Sequence, residues 1–263
     1  MAITTLDGYL ASAKQRVEYA RLASRTAVAA MWFSVFDLAG NPGPGTLAVG
    51  NTANGLVPTD ATAGYPIINA FGGGATGYVT RASYGSTVAC WFEVFDRLFS
   101  CGAYAFNANT TLASQPSYSA RVPGADYTGL GIWLEQVTAG TGSQSVAVTY
   151  TNQAGTASRT TGTFVTAVNI VGRMWRLPLQ AGDTGVQSIQ SVVGSVATVG
   201  TFNIHVMRSL WSGRVMLNNG GGKEDFLNTG MPQVYADSAL FLAVAPDSTA
   251  TGIAELMIEI ANG

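Results

Sequence analysis

One motif is written twice in this chain. Trp32-Phe33-Ser34-Val35-Phe36-Asp37 returns as Trp91-Phe92-Glu93-Val94-Phe95-Asp96. The match extends backward, aligning Ala23-Ser24 with Ala82-Ser83 and Ala30 with Ala89. Aromatic and β-branched runs of this kind suit the interior of packed sheets. Both copies therefore predict buried strands in related surroundings, with Trp32 and Trp91 in the core. Cys90 stands where the first copy has Met31, which predicts a small packed hydrophobe and not a nucleophile. Asp37 and Asp96 close equivalent strands, which predicts turn capping through side-chain hydrogen bonds.

The rest of the chain reads as further short strands. Val146, Val148 and Tyr150 alternate on one face of 145–151, and Ala254, Leu256, Ile258 and Ile260 on one face near the end, with Glu255 and Glu259 opposite. Strands are also expected at 47–49, 66–71, 98–106, 130–137, 160–168, 173–179, 186–193, 201–210 and 239–245. Clusters such as Ala139-Gly140-Thr141-Gly142 and Asp183-Thr184-Gly185 separate them. The one helical pattern covers residues 5–24, where Leu6, Leu10, Ala13, Val17 and Ala20 share a stripe, Thr4 and Asp7 form a capping box, and Lys14 and Glu18 lie one turn apart. It reads either as a helix on its own sheet or as an arm to a neighbouring subunit. Residues 38–64 form a long loop marked by Asn41-Pro42-Gly43-Pro44-Gly45, of a length that is usually functional or held by partners. The expected fold is all-β, a β-sandwich or jelly roll with a short N-terminal helix and long loops. The expected division is a helical arm at 1–26, a β region with the duplicated strand at 27–120 and a β-sandwich at 121–263, the boundary falling in the turn-rich stretch 107–126.

Composition narrows the function classes. Charged residues are 11% of the 263, against about 25% in an average globular protein. Lys14 and Lys223 are the only lysines and the net charge is −2. No broad basic face for nucleic acid or anionic lipid is expected. Arg173, Arg176, Arg208 and Arg214 are expected at subunit contacts, in ion pairs or hydrogen bonds. No run approaches the roughly 18 apolar residues of a membrane span, and the first residues show no leader pattern, so folding in a cytoplasm is expected. In that compartment Cys90 and Cys101, the latter at a turn with Gly102, are expected as reduced thiols. The sequon Asn109-Thr110-Thr111 then has no role.

Several chemical motifs fail on context. Gly72-Gly73-Gly74-Ala75-Thr76-Gly77 has dinucleotide-loop spacing, but strand and not helix is expected after it. Gly220-Gly221-Gly222-Lys223 lacks the first glycine and the following Ser or Thr of a phosphate loop, and reads as a flexible loop. His205, the sole histidine, falls opposite Phe202, Ile204 and Val206 and reads as a half-exposed strand residue, with no nucleophile elbow in the chain. One His and two Cys do not build an ordinary zinc site. The 15 acidic residues leave open a carboxylate pair of glycosidase type. The expectation is no catalytic, cofactor-binding or metal-binding residue, and no cofactor.

A resemblance gives the lead on function. The stretch from Arg176 to Val192, Arg-Leu-Pro-Leu-Gln-Ala-Gly-Asp-Thr-Gly-Val-Gln-Ser-Ile-Gln-Ser-Val, is similar to uncharacterised virion structural proteins of tailed bacteriophages. So are Val148 to Gly155, Leu6-Asp7-Gly8-Tyr9 and Trp32 to Gly43, and the likeness spans most of the chain. It implies a component of the particle, made in the host cytoplasm and placed on the capsid exterior as a decoration or cement protein. Its partners would be the major capsid protein and its own copies; low charge and long polar loops predict a symmetric oligomer, a trimer, and the charge balance predicts neither nucleic acid nor membrane as partner. The alternatives are a tail, neck or fibre protein contacting the host surface, and a carbohydrate-binding or depolymerising protein.

Overall fold

The computed structural model describes residues 3–73, 75–167, 169–194 and 199–263. Gly74 of the glycine run and Val168 of an expected strand lie outside them. The chain is all-β, 46% strand and 6% helix. Its strands are β1 (Ala13–Arg21), β2 (Phe33–Ser34), β3 (Gly40–Asn41), β4 (Gly77–Ser86), β5 (Cys90–Ala105) and β6 (Asn109–Thr111). Then come β7 (Gly131–Thr138), β8 (Ser145–Asn152), β9 (Arg159–Thr160), β10 (Phe164–Val165), β11 (Met174–Arg176) and β12 (Val186–Gly194). The last are β13 (Thr201–Val215), β14 (Gly220–Glu224), β15 (Gln233–Val234), β16 (Leu240–Pro246) and β17 (Ala254–Asn262). Two short helices, α1 (Leu6–Ala11) and α2 (Phe226–Thr229), complete the regular elements used below.

The chain divides into two units that are not consecutive blocks. One comprises Met1–Thr46, Thr59–Asp96 and Ser209–Gly263; the other comprises Leu47–Pro58 and Arg97–Arg208. The chain thus changes unit inside β5 and inside β13, not in the stretch 107–126 where a boundary is expected. The crossings fall at Asp96-Arg97 within β5 and Arg208-Ser209 within β13, in mid-strand, where no turn signal marks the change of neighbours.

In the first unit a sheet ordered β14-β4-β17-β1-β3 packs on strands ordered β5-β16-β2. Val17 and Tyr19 of β1 and Leu256, Ile258 and Ile260 of β17 are buried, and the Tyr19 hydroxyl donates to the Leu240 carbonyl of β16. Tyr84 of β4 meets Phe92 of β5 at 5.9 Å, and Phe36 meets Phe241 at the same separation. This unit corrects the helix expected over 5–24. Only Leu6–Ala11 is helical, and its cap is Thr5, whose hydroxyl accepts from the Gly8 N–H. From Ala13 the chain is a strand paired with β17 over Ala13–Ala20. Val17 and Tyr19 also fit a two-residue period, and a ladder with β17 outweighs a weak helical stripe. Lys14 and Glu18 are therefore not one helical turn apart; the Lys14 ammonium reaches back to the Tyr9 carbonyl at 2.8 Å.

The second unit sets β10-β8-β12-β6 against strands ordered β11-β7-β13-β5. Val146, Val148 and Tyr150 point inward as their alternation predicts, and meet Ile189 and Val192, Leu98 and Phe99, and Phe202 and Ile204 in one apolar core. The loop segment Leu47–Pro58 belongs to this unit and is held by its own chain. Leu56 bridges Ser100, the Tyr104 hydroxyl donates to the Thr52 carbonyl at 2.9 Å, and the Asn203 amide donates to the Leu47 carbonyl. The strands expected at 47–49 and 66–71 do not form, and 160–168 holds only the two-residue β9 and β10.

Candidate functional site

The only histidine is at the centre of a sealed polar cluster in the second unit. Ser100 on β5, Glu135 on β7 and Asn203 and His205 on β13 are all fully buried. Ser100 Oγ lies 2.8 Å from His205 Nδ1, and His205 Nε2 lies 3.0 Å from Glu135 Oε2. The Asn203 amide donates to the same carboxylate oxygen at 3.2 Å. Burial and the nearby Arg97 guanidinium push the His205 pKa down to about 4, against the raising pull of Glu135. The ring is then neutral at pH 7; with Nε2–H donating to Glu135, Nδ1 accepts the Ser100 hydroxyl.

This corrects the half-exposed histidine. β13 is buried on both faces from Phe202 to Met207, so the side opposite Phe202, Ile204 and Val206 is a polar core and not solvent. A serine, histidine and acid do meet, a combination the sequence separates by 105 positions between Ser100 and His205. A nucleophile has to reach a substrate, and Ser100 is 0% exposed. The cluster therefore joins three strands and is no open catalytic site. Its one sequence signal is Glu135-Gln136 inside the apolar strand 130–137.

Most other singled-out residues are engaged within the chain, several of them in its interior. Both cysteines are free thiols. Burial pushes the Cys90 thiol up, and the Cys101 thiol to about 12. Cys101 lies within β5 and not at a turn. Asp37 is paired with Arg25, and Asp96, buried in mid-strand, accepts from the Ser238 hydroxyl at 2.8 Å, so neither caps a turn. Arg173 sits over the Trp175 ring and Arg214 over Trp91, and Arg214 also pairs with Asp247 at 3.3 Å. Asp183, expected simply in a turn, accepts from Tyr150 at 2.6 Å, Asn152 at 2.7 Å and Arg159 at 2.9 Å. Arg159 foremost, then the Tyr150 and Asn152 donors, hold the Asp183 carboxyl down at about 2.

The grooves with open access described below lie on the first unit. A groove of about 760 Å³ runs over the outer face of β1, β17, β4 and β14. Gly220-Gly221-Gly222 is part of the edge strand β14 and not a flexible loop, paired with Ser86, Gly85 and Tyr84, and Gly221 and Gly222 help line the groove. A Cβ on Gly221 would come within 2.5 Å of the Tyr84 carbonyl, and one on Gly222 within 2.6 Å of the Tyr84 ring, so this pairing needs glycine. Glu18 and Glu255 both line the groove. They are diagonal neighbours on adjacent strands, since Glu18 faces Met257 and Ala20 faces Glu255. Its aromatic residues are turned inward: Tyr19 is buried, and Tyr84 packs on Trp211 at 5.0 Å and on Phe92. An outward row of rings, which a sugar-binding groove needs, is not what these residues present. Glu259, expected outward like Glu255, is buried and accepts from the Tyr9 hydroxyl at 3.2 Å.

Beside the groove lies an apolar cleft of about 320 Å³ between α1 and α2, lined by Ile3, Leu6, Tyr9, Phe226 and Met231. Tyr9 and Phe226 meet at 5.0 Å. Leu6 and Leu10, one turn apart on α1, are 58% and 65% exposed, and Leu227 on α2 is 77% exposed. The helical stripe read from sequence is thus real over α1, but no residue of α1 is buried.

No family model matches this chain, and no curated protein matches it. Among solved structures, it is similar at 10% identity to infectious bursal virus derived T=1 particles, with 95% of this chain and 76% of that chain covered and a TM-score of 0.18. A structure of infectious bursal disease virus strain Gt gives 11% identity, coverage of 95% and 80%, and a TM-score of 0.15. Likeness at this level decides neither fold nor role.

Proposed function

We propose that this chain is a non-enzymatic structural component of a tailed-phage virion, a decoration or cement protein on the capsid exterior. It contacts the major capsid protein and its own copies, as a trimer. The observation that carries this reading is the unburied apolar surface of α1 and α2, where Leu6, Leu10 and Leu227 stand in solvent beside an apolar cleft. Patches of this kind mark protein contacts, and an assembly protein holds such contacts permanently. The buried Ser100–His205–Glu135 cluster and the Asp183 hub agree with it, because they place reactive side-chain types in internal cohesion. Many modest contacts repeated over a lattice act together, so no single interface need be tight.

Copy number tests the proposal. Quantitative mass spectrometry of purified virions is expected to give one copy per capsid subunit or a simple fraction of that. About a dozen copies, the number set by ring symmetry at a neck or tail, would move the protein there. Absence from purified virions would overturn the reading altogether.

A further inference from the structure

We infer that the outer face of β14-β4-β17-β1 is a two-fold contact that receives a second copy of this chain. The inference rests on the reading of the chain as self-assembling and names one surface that does it.

The argument starts from register. Pairing of β1 with β17, β17 with β4 and β4 with β14 puts Glu18, Met257, Ser83 and Lys223 in one row across the sheet. Glu18 and Lys223, at its two ends, are exposed. Three strand spacings of about 4.8 Å keep them roughly 14 Å apart, too far to pair within one copy. Among the described residues neither has an ion-pair partner. The next row is Arg16, Glu259 and Arg81, so it begins with a cation on β1. Just past the end of β14 comes Asp225, whose carboxylate accepts the Leu227 N–H at the start of α2 and lines, with Arg16, Arg81 and Lys223, a cleft of about 460 Å³.

A two-fold axis parallel to the strands, between β17 and β4, exchanges β1 with β14. It sets Glu18 against Lys223 of the second copy, and Arg16 against Asp225 of the second copy. An axis across the strands through the Glu18–Lys223 row would set like charge on like, so the pattern selects one operator. The row beside Glu18–Lys223 is Ala20, Glu255, Gly85 and Gly221, and apart from the exposed Glu255 its side chains are small, which lets two backbones approach. The same rotation brings Lys223 of the second copy over β1, diagonal to Glu255 on β17. A two-fold contact must be self-complementary, and the Glu18–Lys223 row is so under one rotation, with two charges that a single copy leaves without an ion pair. Between closed trimers, such a contact joins one trimer to the next.

The test is sedimentation velocity of the full chain at about 0.05 M and about 0.5 M salt, conditions between which the Debye length falls severalfold. At low salt Glu18→Lys and Lys223→Glu are each expected to lower the assembled mass to half or less. The double variant, in which both charges are exchanged, is expected to restore it. Circular dichroism confirms folding of all three, since both positions are exposed. Single variants that sediment like the wild type, or a double variant that stays dissociated, would overturn this contact. A wild type that is oligomeric but indifferent to both single changes overturns the contact and leaves self-assembly standing. A monomeric wild type at both salts overturns self-assembly as well.

Discussion

Phe33 and Phe92 share one register partner. Val244 of β16 pairs with Phe33 of β2 on one side and with Phe92 of β5 on the other, and Ala243 pairs likewise with Ser34 and Glu93. The two copies of the repeated motif therefore flank a single strand in the same alignment. The duplication seen in the sequence is a local two-sided symmetry about β16. Phe33, Val35, Phe92 and Val94 are all fully buried, which is what equivalent surroundings require.

The phenylalanines, not the tryptophans, carry the energy of this repeat. Phe33→Ala and Phe92→Ala are each expected to cost about 3–5 kcal/mol, as for large core aromatics. Trp91 is 44% exposed and lies under Arg214, so Trp91→Ala is expected to cost no more than about 1 kcal/mol. Urea denaturation of the three variants checks this. A Trp91→Ala cost equal to that of Phe92→Ala would refute the assignment of faces.

His205 makes the fold acid-sensitive. Its folded pKa of about 4 lies below the ordinary histidine value of 6.5, so between these values the unfolded chain binds the extra proton. Stability is therefore full above pH 6.5 and is lost as pH falls towards 4, by up to about 3 kcal/mol. His205→Gln, which cannot titrate, is expected to flatten the stability curve in that window although it lowers stability at pH 7. Equal slopes in the two proteins would show that other groups govern the transition.

Both cysteines are expected to resist alkylation in the native protein. Cys90 and Cys101 are 0% exposed and burial raises both thiols, whereas the thiolate is the reacting form. Intact mass after iodoacetamide treatment should show no label on the folded chain and two on the unfolded chain. A single label on the folded protein would place one thiol at the surface.

Gly221 is expected to tolerate no side chain. The Cβ of Gly221→Ala would sit 2.5 Å from the Tyr84 carbonyl, whereas a Cβ at Gly43 meets nothing within 4 Å. Gly221→Ala should cost about 1–3 kcal/mol as overpacking, and Gly43→Ala should be near neutral. Thermal melts of the pair compare them directly. Equal midpoints would mean that β14 does not pair with β4 as described.

Much of the strand content was legible because alternation is local. Val146-Ala147-Val148-Thr149-Tyr150 and Leu256-Met257-Ile258 show one apolar face at a two-residue period, and each is a strand with that face buried. The duplicated motif also told truly that its two copies have like neighbours. What alternation does not tell is which side of a strand meets solvent. Trp91 points outward, and His205 and Glu259 point into shelter, because each orientation depends on what covers that face.

The sequence by itself determined an all-β chain of short strands, the positions of most of them and a repeated aromatic core. Those follow from backbone sterics and side-chain period, both properties of neighbouring residues. Only the tertiary structure decided that residues 13–21 are strand and not helix, since β17, more than 200 positions away, supplies the ladder. The same holds for the meeting of Ser100, His205 and Glu135 from three strands, and for the row that sets Glu18 and Lys223 on one face. These are long-range pairings, and the free energy that selects them comes from burial and cross-strand hydrogen bonds that form only once distant segments are in place.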